Sequence, residues 1–162
     1  MLLYIVRHAY AGQHGDPRYP DDSLRPLTKK GRKEFSRAMK KLARRGFAPK
    51  LVATSPLVRC RQTADAIRKR VDPKPELVEL SSLQPGSDLD ALLSWSNERA
   101  VDQLAWVGHA PDVGFIATLL IGQEDGWMNF KKGAIAAIRS SDSPDFGRGE
   151  LQWFLTAKVL GL

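Results

Sequence analysis

The sequence predicts an α/β fold: a single-domain, three-layer sandwich in which helices cover both faces of a mostly parallel sheet. Short apolar runs alternate along the chain with amphipathic stretches of helical period, and this alternation is typical of βα units. The 162 residues fit one domain, 1–162, and a hydrophobic fraction of 43% is enough for one core. No repeat, low-complexity tract or linker divides the chain.

The first third of the chain contains two strands that flank a loop and a helix. Residues 2–6 are an apolar run, which predicts a buried strand. Residues 12–26 are rich in Gly, Pro and Asp, which predicts a loop. Thr28 is a suitable N-cap for an amphipathic helix that ends near Gly46. Residues 51–54 then predict the second strand.

The rest of the chain repeats this alternation. Ser55-Pro56 predicts the start of a second helix, with serine as the N-cap and proline at the first helical position. This helix is expected to run to about Arg70. The remaining predictions are strands at 76–80, 103–107, 134–140 and 151–156, and helices at 87–97 and 111–121.

Positive charge is concentrated in the first predicted helix. The chain carries a net charge of +7, and residues 29–45 alone hold nine Lys or Arg against one acid, Glu34. The apolar residues recur at helical spacing from Phe35 to Ala43, so the basic side chains are expected on the outer face. This face is either a solvated surface or an electrostatic dock for an acidic partner protein. Aromatic residues are not interleaved with the charges, so no nucleic-acid partner is predicted.

The compartment is predicted from three features. Cys60 is the one cysteine, so an intrachain disulfide is excluded. The N-terminal segment lacks the basic and long apolar regions of a signal peptide. No apolar run approaches the roughly 18 residues that span a membrane. We therefore expect a cytoplasmic protein with no membrane partner, and the sequence does not indicate its oligomeric state.

Polar residues follow three of the predicted strands. Arg7 and His8 follow the first, Arg59 lies near the start of the helix after the second, and His109 follows the fourth. Ligands bind beyond the carboxyl ends of parallel strands, so these side chains are expected to meet. Arginine binds phosphate oxygens two at a time, and a neutral imidazole is a competent nucleophile towards phosphorus. The pattern predicts a cationic phosphate site.

A metal site is the competing interpretation of the two histidines. Zinc would need further ligands, and His14 and Cys60 are the candidates beside His8 and His109. Arginines next to the histidines would repel a cation, so we expect no metal and no other cofactor.

Three stretches carry a resemblance to a known family. They are LYIVRHA at 3–9, SPLVRCRQTA at 55–64 and VGHAP at 107–111. Together they resemble the histidine phosphatase superfamily, also called phosphoglycerate mutase-like. The chain also has DSLRPLT at 22–28, no large cap insertion, and a closing pattern of GAIA at 133–136 followed by residues 149–154. These features make it similar to the short bacterial SixA-type phosphohistidine phosphatases over nearly its whole length.

The resemblance implies a role for each motif residue. His8 would be the nucleophile, which takes the phosphoryl group to form a phosphohistidine intermediate. Arg7 and Arg59 would hold the phosphoryl oxygens, and Arg25 would be a further phosphate contact. His109 would complete the pocket as a cationic or hydrogen-bonding partner. Neighbouring cations are expected to favour the neutral, reactive form of the nucleophile. The implied substrate is phosphohistidine on a protein, expected to be acidic.

The sequence departs from the family pattern at two places. Ala9 stands where glycine is usual, a small change that we expect to be tolerated. Many members carry an acid after the third strand that protonates the leaving oxygen, but residues 80–85 contain none. Glu79, Asp88 and Asp22 are the nearest candidates. Phosphohistidine leaves as imidazole, with a conjugate-acid pKa of about 6.5, and needs less help than an alkoxide.

Two alternatives remain open from the sequence. One is a phosphatase for a small phosphorylated metabolite; a mutase is disfavoured because the short chain leaves little room for an enclosing cap. The other is a module that binds phosphoproteins without turnover, and the presence of His8 with all its expected partners counts against it.

Overall fold

The computed structural model describes residues 1–160, which form one sheet with helices on both of its faces. The strands are β1 (Leu2–Arg7), β2 (Leu51–Thr54), β3 (Glu76–Glu79), β4 (Gln103–Gly108), β5 (Ile135–Arg139) and β6 (Glu150–Leu155). The helices are α1 (Lys29–Ala43), α2 (Val58–Arg68), α3 (Leu89–Asn97) and α4 (Asp112–Leu120). The predicted α/β fold class is confirmed.

The sheet has the strand order β3-β2-β4-β1-β5-β6. The first four of these strands are parallel, whereas β5 and β6 are antiparallel to their neighbours. At the carboxyl edge, Arg7 lies opposite Gly108, and Thr54 lies opposite Val107. The segments that leave β1, β2 and β4 therefore begin side by side, as parallel topology requires.

Both faces of the sheet are buried, which explains why its central strands are continuous apolar runs. Tyr4 and Val6 of β1 pack into the core on the face covered by α1 and α2. Leu3 and Ile5 point the other way, into a second core under α3 and α4. Trp106, fully buried, lies in the second core. This alternation along one strand produces the three layers.

The loop after β1 is anchored on the first turn of α1. Thr28 caps this helix as predicted, since its Oγ1 accepts a hydrogen bond from Gly31 N at 3.0 Å. Thr28 N donates to Tyr10 O at 2.9 Å. A Cβ at position 31 would collide with the backbone of Tyr10, so this close approach requires glycine. The contact fixes the path of the chain just beyond His8.

The predicted start of α2 at Ser55-Pro56 is wrong. Ser55 N donates to Val107 O at 3.0 Å, which extends the pairing of β2 with β4 and keeps this residue out of the helix. Leu57 is the N-cap residue, and it makes no side-chain capping bond. The other predicted ends differ from the observed ones by three residues or fewer. No described helix is both long enough and apolar enough to cross a membrane.

Candidate active site

His8 is the first residue after β1, and its backbone is held from both sides. His8 N donates to Gly108 O at 3.0 Å, and Gly133 N donates to His8 O at 3.0 Å. The side chain is 6% exposed, and its Nδ1 lies 2.8 Å from Ala9 O. A carbonyl oxygen only accepts hydrogen bonds, so Nδ1 carries the proton and Nε2 carries the lone pair. The imidazole is thus held in a tautomer whose Nε2 can act as a nucleophile.

Thr63 connects the segment after His8 to the helix that carries Arg59. Its Oγ1 donates to Arg59 O at 2.7 Å and accepts from Ala9 N at 3.1 Å. The hydroxyl is fully buried, so both bonds are protected from water. Thr63 lies inside one of the three family stretches, but its position there did not reveal this role.

All five residues predicted for the site line one pocket of about 440 Å³, namely Arg7, His8, Arg25, Arg59 and His109. The rings of His8 and His109 have centroids 5.3 Å apart. The structure therefore brings the three predicted strand ends and the loop before α1 together at one pocket.

Lys132 is a further cation of the pocket that the sequence analysis missed. Its Nζ donates to Gly12 O at 3.0 Å and lies 4.3 Å from the centre of the Tyr10 ring. Burial lowers the pKa of Lys132, and three arginines of the pocket, Arg7 first, lower it further. The residue comes from the segment before β5, where no strand-end pattern or motif indicated it.

Arg7 and Arg59 each donate to a backbone oxygen, yet each keeps a donor that no described residue accepts from. Arg7 Nη1 donates to Phe130 O at 2.7 Å, and Arg59 Nη1 donates to Asp22 O at 2.8 Å. The Nε atoms of both arginines are buried and find no hydrogen-bond partner among residues 1–160. Burial lowers the pKa of both groups. Buried guanidinium groups with donors to spare favour the binding of an anion.

Asp22 lies between the arginines of the pocket. Its Oδ1 accepts from Arg25 Nε at 2.7 Å and lies 3.1 Å from His14 Nδ1, while Oδ2 lies 3.1 Å from Arg59 Nη1. The hydrogen bond from Arg25 is the main reason that the pKa of Asp22 falls to about 2. The carboxyl group is therefore ionised at neutral pH, which suits it to positioning the arginines and not to donating a proton.

The other two candidate acids lie outside the pocket. Glu79 is exposed and pairs with Arg61, with an N–O distance of 3.5 Å. Asp88 caps α3, because its Oδ1 accepts from Ala91 N at 3.0 Å. Asp112, in the first turn of α4, does line the pocket, and its Oδ2 accepts from Gly86 N at 3.0 Å. The sequence analysis had not considered this carboxylate.

Burial keeps both histidines of the pocket neutral. Burial is the largest cause of the lowered pKa of His8, which falls to about 3. Repulsion by His109, Arg59 and Arg7 lowers this pKa further, whereas the hydrogen bond to Ala9 O raises it. The neighbouring cations, which were expected to favour the neutral form, are therefore a secondary cause of this lowered pKa. Burial also lowers the pKa of His109 to about 4, with repulsion by Arg59 next in size. His109 is consequently a hydrogen-bonding partner and not a cation in the free protein.

The lowered pKa of His8 predicts that acid destabilises the fold. In the unfolded chain histidine binds a proton below about pH 6.5, whereas folded His8 stays neutral down to about pH 3. Stability is therefore complete above pH 6.5 and is lost as the pH falls. Between pH 7 and pH 5 the loss due to this one group is about 2 kcal/mol. Urea unfolding at both pH values should show a smaller loss for His8→Gln, and equal losses for the two proteins would contradict the assignment.

The competing zinc interpretation depends on Cys60 and His14 as further ligands beside the two histidines of the pocket. Cys60 Sγ lies 3.4 Å from His109 Nε2, but burial raises the pKa of this thiol to about 12, so it stays protonated. His14 lies at the pocket mouth beside Asp22. Within the described part of the chain, no three His, Cys, Asp or Glu side chains are grouped so that they could hold a metal ion.

Comparisons with known proteins place the chain in a family. The model of the histidine phosphatase superfamily (branch 1) matches residues 3–84. An uncharacterized protein of Picosynechococcus is 36% identical over 145 residues, which cover 86% of each chain. The protein histidine phosphatase SixA, solved with tungstate, is 26% identical with a TM-score of 0.83 over 99% of both chains. A SixA protein of Agrobacterium tumefaciens, assigned as a phosphohistidine phosphatase, is 23% identical with a TM-score of 0.77. The match covers 96% of this chain and 97% of that protein. The chain therefore belongs to the histidine phosphatase superfamily.

Proposed function

We propose that this protein is a phosphatase that removes the phosphoryl group from phosphohistidine on proteins, with His8 as the nucleophile. The observation that carries the proposal is the buried, neutral imidazole of His8, whose Nδ1 proton is bound to Ala9 O so that Nε2 keeps its lone pair. The similarity to SixA, a protein histidine phosphatase, supports the substrate class. The single cysteine is buried and free, which is in keeping with the cytoplasm as the proposed compartment.

The reaction proceeds in two displacements. Nε2 of His8 attacks phosphorus, the P–N bond of the substrate breaks, and the departing imidazole takes up a proton from solvent water. Water then attacks the phosphoryl group on His8, which releases inorganic phosphate and restores the neutral histidine. Arg7, Arg25 and Arg59 bind the phosphoryl oxygens, with Lys132 and His109 as further donors. Fixed cations that stabilise the transition-state charge take the place that magnesium holds in many phosphoryl transfers.

The ionised state of Asp22 supports a phosphohistidine substrate. A sugar or glycerate alkoxide is a poor leaving group and needs a proton donor, but Asp22 holds no proton at neutral pH. Imidazole accepts a proton with a pKa of about 6.5 and leaves with little assistance.

A phosphatase for small phosphate esters is the second candidate. Asp112 favours it, because this carboxylate lines the pocket beside His109 and Pro111 and makes no bond to an arginine within residues 1–160. Asp112 is therefore the candidate general acid for an alkoxide leaving group.

The two candidates are separated by comparing catalytic efficiencies on matched substrates in the presence of EDTA. We expect kcat/KM on a phosphohistidine protein to exceed that on small alkyl phosphates by roughly 100-fold. Asp112→Asn should leave the phosphohistidine reaction nearly unchanged. Efficient hydrolysis of alkyl phosphates that depends on Asp112 would instead establish the second candidate, and loss of all activity in EDTA would contradict a site that works without a metal.

A further inference from the structure

A second cavity, larger than the catalytic pocket, lies between α1 and α2 and has a volume of about 760 Å³. We call it the α1/α2 groove. Six cationic side chains line it, and Asp65 is its one acidic residue. The cations are Lys29, Arg32, Lys33 and Arg37 of α1 with Lys69 and Arg70, which directly follow α2. The basic charge predicted on the outer face of α1 is thus partly gathered into a concave site shared with a second helix.

Two hydrogen bonds show how the two helices of the groove run relative to each other. Leu27 N donates to Gln62 Oε1 at 2.8 Å, and Arg70 Nε donates to Ser36 Oγ at 2.9 Å. Leu27, just before α1, thus meets the first half of α2, and Ser36 within α1 meets the residue two places beyond α2. The two contacts are nearly the same number of residues apart along each segment, so α1 and α2 run parallel. Gln62, which lines the groove, follows Arg59 by about one helical turn, so the groove begins beside the catalytic pocket. It continues away from the pocket for about 12 Å, at 1.5 Å per residue.

The six cations of the groove form no ion pairs with carboxylates of the described residues. Among residues 1–160, none of the six groove cations lies within 4.0 Å of a carboxylate oxygen. Elsewhere on α1, Lys30 pairs with Glu34 at 3.7 Å. Exposed cations gathered in one concave surface repel one another and attract a segment of opposite charge.

We propose that the α1/α2 groove docks an acidic segment of the substrate protein while its phosphohistidine occupies the catalytic pocket. The identity of the partner as the substrate rests on the proposed function, whereas the preference for an acidic segment rests on the groove itself. None of the described residues that line the groove is aromatic, so they offer no surface on which nucleic-acid bases could stack. Docking at this site would act mainly on the rate of association, which charge complementarity controls.

Binding of unphosphorylated peptides tests the groove independently of catalysis. The probes are a labelled helical peptide of about twelve residues rich in glutamate and a matched peptide with glutamine in its place. The groove variant combines Arg32→Glu, Lys33→Glu and Arg37→Glu. The control variant combines Lys30→Glu, Lys40→Glu and Arg44→Glu, which makes the same change of charge on exposed residues outside the groove lining. Melting curves establish that both variants fold.

In fluorescence anisotropy, the wild-type protein should bind the glutamate peptide in preference to the glutamine peptide. The groove variant should bind the glutamate peptide roughly tenfold more weakly, and the control variant should lose much less. High salt should shrink the difference. Equal losses in the two variants would overturn the proposal, because a general positive field would then explain the binding. Tighter binding of a single-stranded oligonucleotide than of the glutamate peptide would also overturn it.

Kinetics connect the groove to the proposed function. A phosphohistidine peptide extended by the glutamate segment should lose roughly tenfold in kcat/KM in the groove variant, while phenyl phosphate turnover stays at the wild-type level. If phosphohistidine is hydrolysed and the groove variant matches wild type, the docking inference fails alone. If the wild-type protein hydrolyses phenyl phosphate but no phosphohistidine peptide, the proposed function fails, and the anisotropy result still decides whether the groove binds acidic segments.

Discussion

Replacing His8 by alanine is expected to reduce turnover by roughly 10⁴- to 10⁶-fold, the range of losses found when single members of a catalytic triad are deleted. In the proposed mechanism, Nε2 of the buried His8 supplies the lone pair that bonds to phosphorus, and no water molecule in its place would form the same covalent intermediate. Phosphate release from phenyl phosphate and from a phosphohistidine protein measures the loss.

His14→Ala is the matched control for this substitution. His14 also lines the pocket, but its side chain is 84% exposed and contacts Asp22. Its removal should leave turnover near the wild-type level. The His8→Ala protein should still bind tungstate in calorimetry, because the arginines of the pocket remain. Activity above one part in a hundred in His8→Ala, or equal losses in the two variants, would contradict the role of His8.

Arg59→Ala is expected to lower kcat/KM by about 100-fold, which corresponds to about 3 kcal/mol of transition-state stabilisation. Arg59 is 4% exposed, lines the pocket and has an Nε without a partner among the described residues. In the proposed mechanism, its charge-assisted bonds to the phosphoryl oxygens would strengthen as the P–N bond breaks. Arg59→Lys should recover only part of the loss, since an ammonium group lacks the planar fork.

Arg61 provides the control on the same helix. It lies two residues further along α2, is exposed, and pairs with Glu79 away from the pocket. Arg61→Ala should therefore retain nearly wild-type kcat/KM. Because Arg59 also binds Asp22, melting temperatures must show that both variants are folded. Equal catalytic losses in the two variants would contradict the placement of Arg59 in the site.

The sheet was the part of the fold most open to sequence prediction. A strand buried on both faces must be apolar throughout, and β2 occupies the predicted residues 51–54. The cap of α1 at Thr28 was also predictable, because capping depends on the adjacent residues. Ser55-Pro56 failed as a helix start because Ser55 bonds across the sheet to Val107, a contact between residues far apart in sequence.

Some residues of the candidate site could be placed from the sequence and others could not. Arg7, His8 and His109 could be predicted because parallel strands bring their carboxyl ends together. Lys132 could not, since it reaches Gly12 from a segment that precedes an antiparallel strand. The neutrality of His8 was expected, but its main cause was not, because depth of burial depends on the assembled core. Lys69 and Arg70, which follow α2 and line the groove, were missed for a similar reason. The sequence of one helix does not show which other helix packs beside it.

The most direct test of the account is the chemical state of His8 during turnover. Rapid quenching at alkaline pH, followed by mass spectrometry, should find an acid-labile phosphoryl group on His8 within a single turnover. Because Nδ1 is bound to Ala9 O, phosphorus NMR should identify the adduct as the Nε2-phosphorylated isomer. A phosphoryl group on His14 or His109, or turnover with no phosphorylated histidine at any time, would contradict the central claim.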